Sequence, residues 1–314
     1  MKNKKTKRRY RLRNWKHYNA ALVQRGSLTL WVSDDVMTAW RDTLQTGKRG
    51  KPRTYSDTAV LCMATLKEVY HLPLRATQGL MASLMRLLGL DLPVMHYSQL
   101  SRRCATLEVA LPRRAKSESL HMVVDSTGVK VFGEGEWKVR QHGYTKRRTW
   151  RKLHIGADET TGEIVAAVVT TNNVADSQVL EGLLEQVDEA IKQVSGDGAY
   201  DKRNCYEAIR QRQAKAAIPP QRNAKIWQHG NSKQERLIRD ENLRRIRQVG
   251  RKQWKQEVGY HRRSLAETQM FRVKTIFGDR VSARQFAGQA TQVLVRCAAL
   301  NTMTHQGMPD SYAV

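Results

Sequence analysis

The stretch HMVVDSTGVKV, residues 121–131, decides how the second half of the chain is read. It is rich in β-branched residues, and apolar side chains lead up to Asp125, so it marks a buried strand with an acid in mid-run. Two further strands are expected after it, the alternating TWRKLHIGA at 149–157 and the apolar EIVAAVVTT at 163–171, with the turn DETTG at 158–162 between them. A helical stretch over 176–192, capped by Asp176, leads into a short strand at 195–200. A helical segment at 202–213 and a short strand at 216–218, stopped by Pro219 and Pro220, complete the pattern.

Three strands, a helix and then strand–helix alternation is the order of an RNase H-like α/β domain, a mixed sheet flanked by helices. Antiparallel strands come first, and the later strands are expected parallel beside the first. Helical pattern dominates from residue 235 onward, and 221–255 reads as a short, helical stretch between the last strand and the 259–278 segment.

Upstream, the texture is all helical. Asp34 and Asp35 can cap a helix to about residue 44, Ser56 one over 57–70, Pro73 can open one over 74–88, and Ser98 can cap 99–107. The last of these presents Gln99, Arg102 and Arg103 on its polar side, which resembles a helix-turn-helix with its final helix in the major groove. Any small helical bundle has the same pattern. The expected division is a basic arm at 1–33, an N-terminal all-α DNA-binding region at 34–115, a catalytic domain at 116–306 and a tail at 307–314.

Charge sets the class of partner. The 314 residues carry 55 Lys and Arg against 29 Asp and Glu, a formal net charge of +26, which points to a polyanion and above all to nucleic acid. The cations fall in three zones. The first spans the arm from Lys2 to Arg25, and the third centres on Arg244, Arg245, Arg247, Arg251, Lys252 and Lys255 around Trp254. The second, acid-free zone interleaves Lys138, Arg140, Lys146, Arg147, Arg148, Arg151 and Lys152 with rings that include His142, and lies between the first two strands. A ring such as Trp227 or Trp254 can stack on an unpaired base, although core packing serves either equally well. No run approaches the roughly 18 uncharged apolar residues of a membrane span. The N-terminal residues have no apolar run of a secretory signal, so a cytoplasmic protein with no membrane partner is expected. The four cysteines are scattered and read as reduced, buried hydrophobes.

Against so few acids, those in strand contexts stand out. Asp125 lies mid-strand, and Asp197 closes a strand in SGDGAYD between Gly196 and Gly198. In the expected strand order they are neighbours. Two carboxylates about 4 Å apart repel by about 4 kcal/mol at an effective dielectric of about 20, so a cation belongs between them, and Mg²⁺ or Mn²⁺ suits oxygen ligands. The plainer alternative makes Asp125 a hydrogen-bonded buried acid and Asp197 a turn residue. The segment GYHRRSLAETQMFRVKTIFG, residues 259–278, reads as one helix. Arg263, Glu267 and Lys274 follow Tyr260 by three, seven and fourteen residues, which at about 100° per residue places all four on a stripe about 60° wide.

The Tyr-(2)-Arg-(3)-Glu-(6)-Lys spacing, with Asp125 in VVDSTG and Asp197 in SGDGAYD upstream, resembles the DDE transposases of bacterial insertion sequences, specifically family five. Residues 133–152, 218–227 and 297–301 look like the same family. The resemblance implies a metal-binding triad of Asp125, Asp197 and Glu267 holding two Mg²⁺ ions, with Mn²⁺ as a substitute. Tyr260, Arg263 and Lys274 would orient phosphates. It implies nicking at the inverted repeats of the element, joining of 3′-hydroxyl ends to target DNA, and a homodimer on double-stranded DNA. Asp201 is a rival for the second acid. A catalytically silent DNA-binding descendant, and a nuclease without strand transfer, are the competing readings.

Overall fold

Local signals explain most of the N-terminal helices. The computed structural model describes residues 10–42, 53–114, 119–131, 150–228 and 236–314. A strand β1 (Tyr10–Leu12) precedes α1 (Trp15–Gln24) and two short helices, α2 (Leu28–Trp31) and α3 (Asp34–Thr38). Helix α4 (Asp57–Val69) begins where expected, because the Ser56 hydroxyl accepts the Ala59 N–H at 3.1 Å. Helix α5 (Leu74–Leu87) follows Pro73, and α6 (Tyr97–Cys104) is capped by His96 rather than Ser98, its ring nitrogen accepting from the Ser98 amide. The helix expected from Asp34 stops at Thr38, since the chain turns there to bury Trp40 completely, with its Nε1 on the Pro93 carbonyl at 2.8 Å.

The second half alternates as expected. It runs through β2 (Leu120–Val131), β3 (Trp150–Asp158), β4 (Ile164–Thr171), a 3-10 turn (Asp176–Gln178), α7 (Leu180–Glu185), β5 (Ile191–Ser195), a second 3-10 turn (Gly198–Tyr200), α8 (Arg203–Gln211) and β6 (Lys215–Ala217). Helix α9 (Ile238–Glu257), a third 3-10 turn (Tyr260–Arg263), α10 (Ser264–Phe277), the short β7 (Arg280–Val281), α11 (Phe286–Gln306) and β8 (Ser311–Ala313) follow. Three expectations change: the strand expected at 195–200 lies at Ile191–Ser195, and Gly198–Tyr200 is a 3-10 turn. The stretch 176–192 is a 3-10 turn, a helix of under two turns and the start of β5. The segment 259–278 is a 3-10 turn leading into α10, with Gly259 at φ 65 breaking it from α9.

The sheet order is β4-β3-β2-β5-β6. Strands β2, β3 and β4 pair antiparallel, whereas β5 and β6 are parallel to β2, the mixed topology read from the sequence. The two-residue alternation of β2 divides its side chains between two cores. Leu120, Met122 and Val124 pack with α7 and α8, and Val123 and Val129 pack under α10 and α11.

That second core does not stop at the half that carries the sheet. Val60, Met63 and Leu66 of α4, Met81 and Leu84 of α5 and Leu100 of α6 belong to the same cluster as Val293, Cys297 and Leu300 of α11. A buried ion pair rivets the junction: Arg296 Nε lies 2.6 Å from Glu68 Oε2, and its Nη groups reach the carbonyls of Gly278 and Arg280. The ends of the chain also meet, β1 pairing antiparallel with β8 while the Asn14 side chain binds Met308 O and the Asp310 amide. Cys62, Cys205 and Cys297 are buried and free, and Cys104 is half-buried and free.

Candidate active site

Asp125 comes from the middle of β2, on the face covered by α10. Its Oδ1 accepts the Ser126 amide at 2.8 Å. Burial pushes its carboxyl above the ordinary aspartate range, and the charges of Asp197 and Glu267 push the same way, while the Ser126 amide and Arg263 oppose them. The parallel register of β2 and β5 ends with Val123 opposite Ser195, two residues before each acid, and the Asp197 charge acts on Asp125. Asp197 caps the turn Gly198–Tyr200 through the Ala199 amide at 2.8 Å. Gly196 before it has no room for a side chain, since a Cβ there would stand 2.9 Å from Tyr200 Cδ2 and 3.0 Å from Val124 Cγ2.

The third acid arrives from α10. Arg263 ends the 3-10 turn and spans two acids, Nη1 lying 3.0 Å from Asp125 Oδ2 and Nη2 lying 2.5 Å from Glu267 Oε1. Tyr260 is 9% exposed, its ring between the Lys255 ammonium at 4.6 Å and the Arg263 guanidinium at 5.9 Å. Burial raises its phenol above the usual value. Lys274 donates to Thr127 Oγ1 at 2.6 Å, and burial lowers its ammonium. Thr127 was not picked out from the sequence, although the period of two along β2 from Asp125 puts it on the same face.

The geometry thus brings Glu267, Tyr260 and Arg263 to Asp125 at the middle of β2, with Lys274 at Thr127 two residues further along and Asp197 just past the end of β5. Among the described residues, no three His, Cys, Asp or Glu side chains stand close enough to hold a metal ion as they lie. The donor set nevertheless suits one, being carboxylate oxygens of which Asp197 and Glu267 raise the proton affinity of Asp125, and the Arg263 guanidinium bridges Asp125 and Glu267 where a cation is needed. The rival Asp201 is 5% exposed and committed to Arg239, whose Nε lies 2.7 Å away.

Of the cations expected on DNA, Lys138, Arg140, His142, Lys146, Arg147 and Arg148 lie outside the described residues. Arg151 is bound to Gln289 at 2.6 Å and covers the Phe286 ring. Lys152 pairs with Asp176 at 2.7 Å and donates to Val174 O. On α6, Arg102 is exposed and Gln99 half-buried, whereas Arg103 ties that helix to Asp57 and the Tyr55 carbonyl. Trp254 corrects the expectation of a stacking ring: it is 1% exposed, with Nε1 directed at Asn242 Oδ1, because α9 folds its apolar side onto the Tyr260 turn. Trp227 lies under the Arg239 guanidinium at 3.7 Å.

Fold and site together define an α/β protein with an acidic, cation-bridged site on a mixed sheet. The chain belongs to the transposase DDE-domain family: two family models of that description match, one over residues 23–134 and one over 116–302, the second alone taking in more than half of the chain. It is therefore a DDE transposase, a polynucleotidyl transferase or endonuclease of DNA transposition and recombination, in a family that generally uses divalent metal ions. Among solved structures, the piggyBac transposase synaptic complex with hairpin DNA is similar at a TM-score of 0.36 and 9% identity, over 91% of this chain and 75% of that one. The Drosophila P element transposase strand transfer complex is similar at 0.29 and 11% identity, over 63% of this chain and 42% of that one. Likenesses this loose carry no argument about the site.

Proposed function

We propose that the chain is the transposase of a bacterial insertion sequence of family five. It binds the terminal inverted repeats, nicks at the element ends by phosphodiester hydrolysis, and joins the 3′-hydroxyl ends to target DNA by transesterification. The observation that carries this reading is Arg263 spanning Asp125 and Glu267, with Asp197 two residues past the end of the adjoining strand β5. Asp125, Asp197 and Glu267 would hold two Mg²⁺ ions, or Mn²⁺ in their place; when bound, these supply the Lewis acidity that activates a water or a 3′-hydroxyl and stabilises the leaving oxygen. Arg263 presents a fork of donors to phosphate oxygens, Lys274 a point charge, and the Tyr260 hydroxyl one hydrogen bond. No covalent protein intermediate is required, because both displacements take an oxygen nucleophile directly to phosphorus.

The basic zones hold the duplex with little sequence information, and α6, through Gln99 and exposed Arg102, reads the repeats as part of an RNase H-like enzyme with a helix-turn-helix-like N-terminal region. A homodimer brings two ends together. The test is strand cleavage of DNA carrying the sequences that flank the reading frame. Asp125→Asn, Asp197→Asn and Glu267→Gln should each abolish Mg²⁺-dependent cleavage and leave end binding within about threefold. Cleavage surviving in any one of them removes that residue from the triad. A cleaved end that never joins target DNA would favour a nuclease instead.

A further inference from the structure

The face of β2 that carries Asp125 also carries, toward the start of the strand, His121 opposite Gln193 of β5 and Val123 opposite Ser195, two residues before Asp197. His121 Nε2 lies 2.8 Å from Ser195 Oγ and 3.1 Å from Gln193 Nε2, and its Nδ1 lies against Glu159 Oε2. Burial, helped by the Arg262 charge, pushes the imidazole down to about 4, so the ring is neutral. Its partners assign the tautomer: Nδ1–H faces the Glu159 carboxylate, and Nε2 accepts from Ser195.

Both outer members of this cluster reach the turn that delivers Tyr260 and Arg263. Gln193 Nε2 donates to the Val258 carbonyl at 2.9 Å, one residue before Gly259 turns the chain at φ 65. At the other end, Arg262 Nε donates to Glu159 Oε1 at 2.7 Å and its Nη2 to the Glu159 carbonyl at 3.2 Å. Residues 258 and 262 are thus both fastened to groups that meet at one imidazole. Arg263, the next residue, is the one that spans Asp125 and Glu267. The chemistry proposed for the acids uses none of these groups, yet four polar side chains from three elements converge there.

We propose that His121, Glu159 and Gln193 are positioning residues, a clamp on the 258–263 turn that sets Tyr260 and Arg263 against the acidic site. The inference rests on the reading of Asp125, Asp197 and Glu267 as the catalytic acids. A misplacement of about 1 Å in a group that orients the reacting phosphate can cost on the order of a hundredfold in rate, so a clamp outside the site has leverage on it.

The experiment uses the full-length protein with Glu159→Gln, Gln193→Ala and His121→Gln. Hydrogen exchange of the metal-free protein should show amides of 258–267 exchanging about tenfold or more faster in each variant, with those of β2 and β5 unchanged. Single-turnover Mg²⁺-dependent nicking of a plasmid carrying the flanking DNA should fall about tenfold or more in Glu159→Gln at unchanged DNA affinity. In an Arg263→Lys background the same change should add less than about twofold, because the clamp acts through Arg263. Unaltered exchange at 258–267, or effects of Glu159→Gln and Arg263→Lys that multiply, would overturn the clamp. Should His121→Gln fail to fold, the other two variants decide the matter. A wild type that nicks with neither Mg²⁺ nor Mn²⁺ defeats the reading of the acids, whereas the exchange measurement still judges the clamp.

Discussion

At Gly196 one hydrogen atom in place of a side chain decides where an acid goes. The residue is wedged between Tyr200 and Val124, and Asp197 follows immediately. Gly196→Ala should destabilise the fold by about 1–3 kcal/mol, the usual range for overpacking, and lower metal-dependent cleavage further than its stability loss explains. Chemical denaturation beside single-turnover cleavage checks this, and a variant of unchanged stability would show that the contact relaxes freely. Asp125 and Asp197 were legible as an acid inside an apolar run and an acid between glycines. That Arg263 bridges Asp125 to Glu267 was not, because the distance is between residues more than a hundred positions apart, one on a strand and one on a turn. Trp254 shows the converse failure: a ring among cations looks like a DNA contact in one dimension and is a core residue in three.

Among the elements, helices with a local cap or a proline boundary were readable, as α4 and α5 show. The segment 259–278 was read as one helix, since its periodicity is continuous, but the left-handed Gly259 and the packing of Tyr260 onto Trp254 tighten its first turn to 3-10 geometry. Tyr260 and Arg263 still share a face, because side chains three residues apart eclipse in a 3-10 turn. Another contact between elements was invisible in the sequence. Glu68 of α4 and Arg296 of α11 form a buried pair, both side chains 5% exposed, with Gln292 Nε2 as a further donor to Glu68. Lys67 also pairs with Glu68 at 2.5 Å, so Arg296→Met leaves that carboxylate partly compensated and should cost less than the roughly 3–5 kcal/mol of a bare buried charge, and the double change with Glu68→Leu should recover part of it. Equal losses in the single and double variants, by urea denaturation, would mean that packing rather than charge is what Arg296 supplies.

Taken whole, the molecule answers to acid through one buried imidazole, His154, and one half-buried, His121. Burial pushes both His121 and His154 down to about 4 from an ordinary 6.5; Arg262 and Lys192 lower His121 further and Asp158 opposes, while Lys152 lowers His154 and Asp176 opposes. Between those values the unfolded chain takes up protons that the fold refuses. Their contribution to stability is therefore complete above pH 6.5, lost progressively as the pH falls toward 4, and flat below. Melting temperatures taken from pH 7 to 4 should fall through that window, and His154→Gln should flatten the dependence. A dependence that His154→Gln leaves unchanged would assign the acid sensitivity to the carboxylates instead.

The sequence by itself determined the α/β class and the mixed strand order, and it singled out Asp125 and Asp197 as candidates. Those follow from local periodicity and from the cost of putting a charge inside an apolar strand, which are properties of a few adjacent residues. Only the tertiary structure decided that the N-terminal helices share a core with the sheet through α11, and that Arg263 spans two acids. It alone placed a neutral histidine in a cluster that holds both ends of the turn carrying that arginine. The reason is physical. Hydrogen bonds and packing between distant segments depend on distances of a few ångströms, and no periodicity along the chain encodes them.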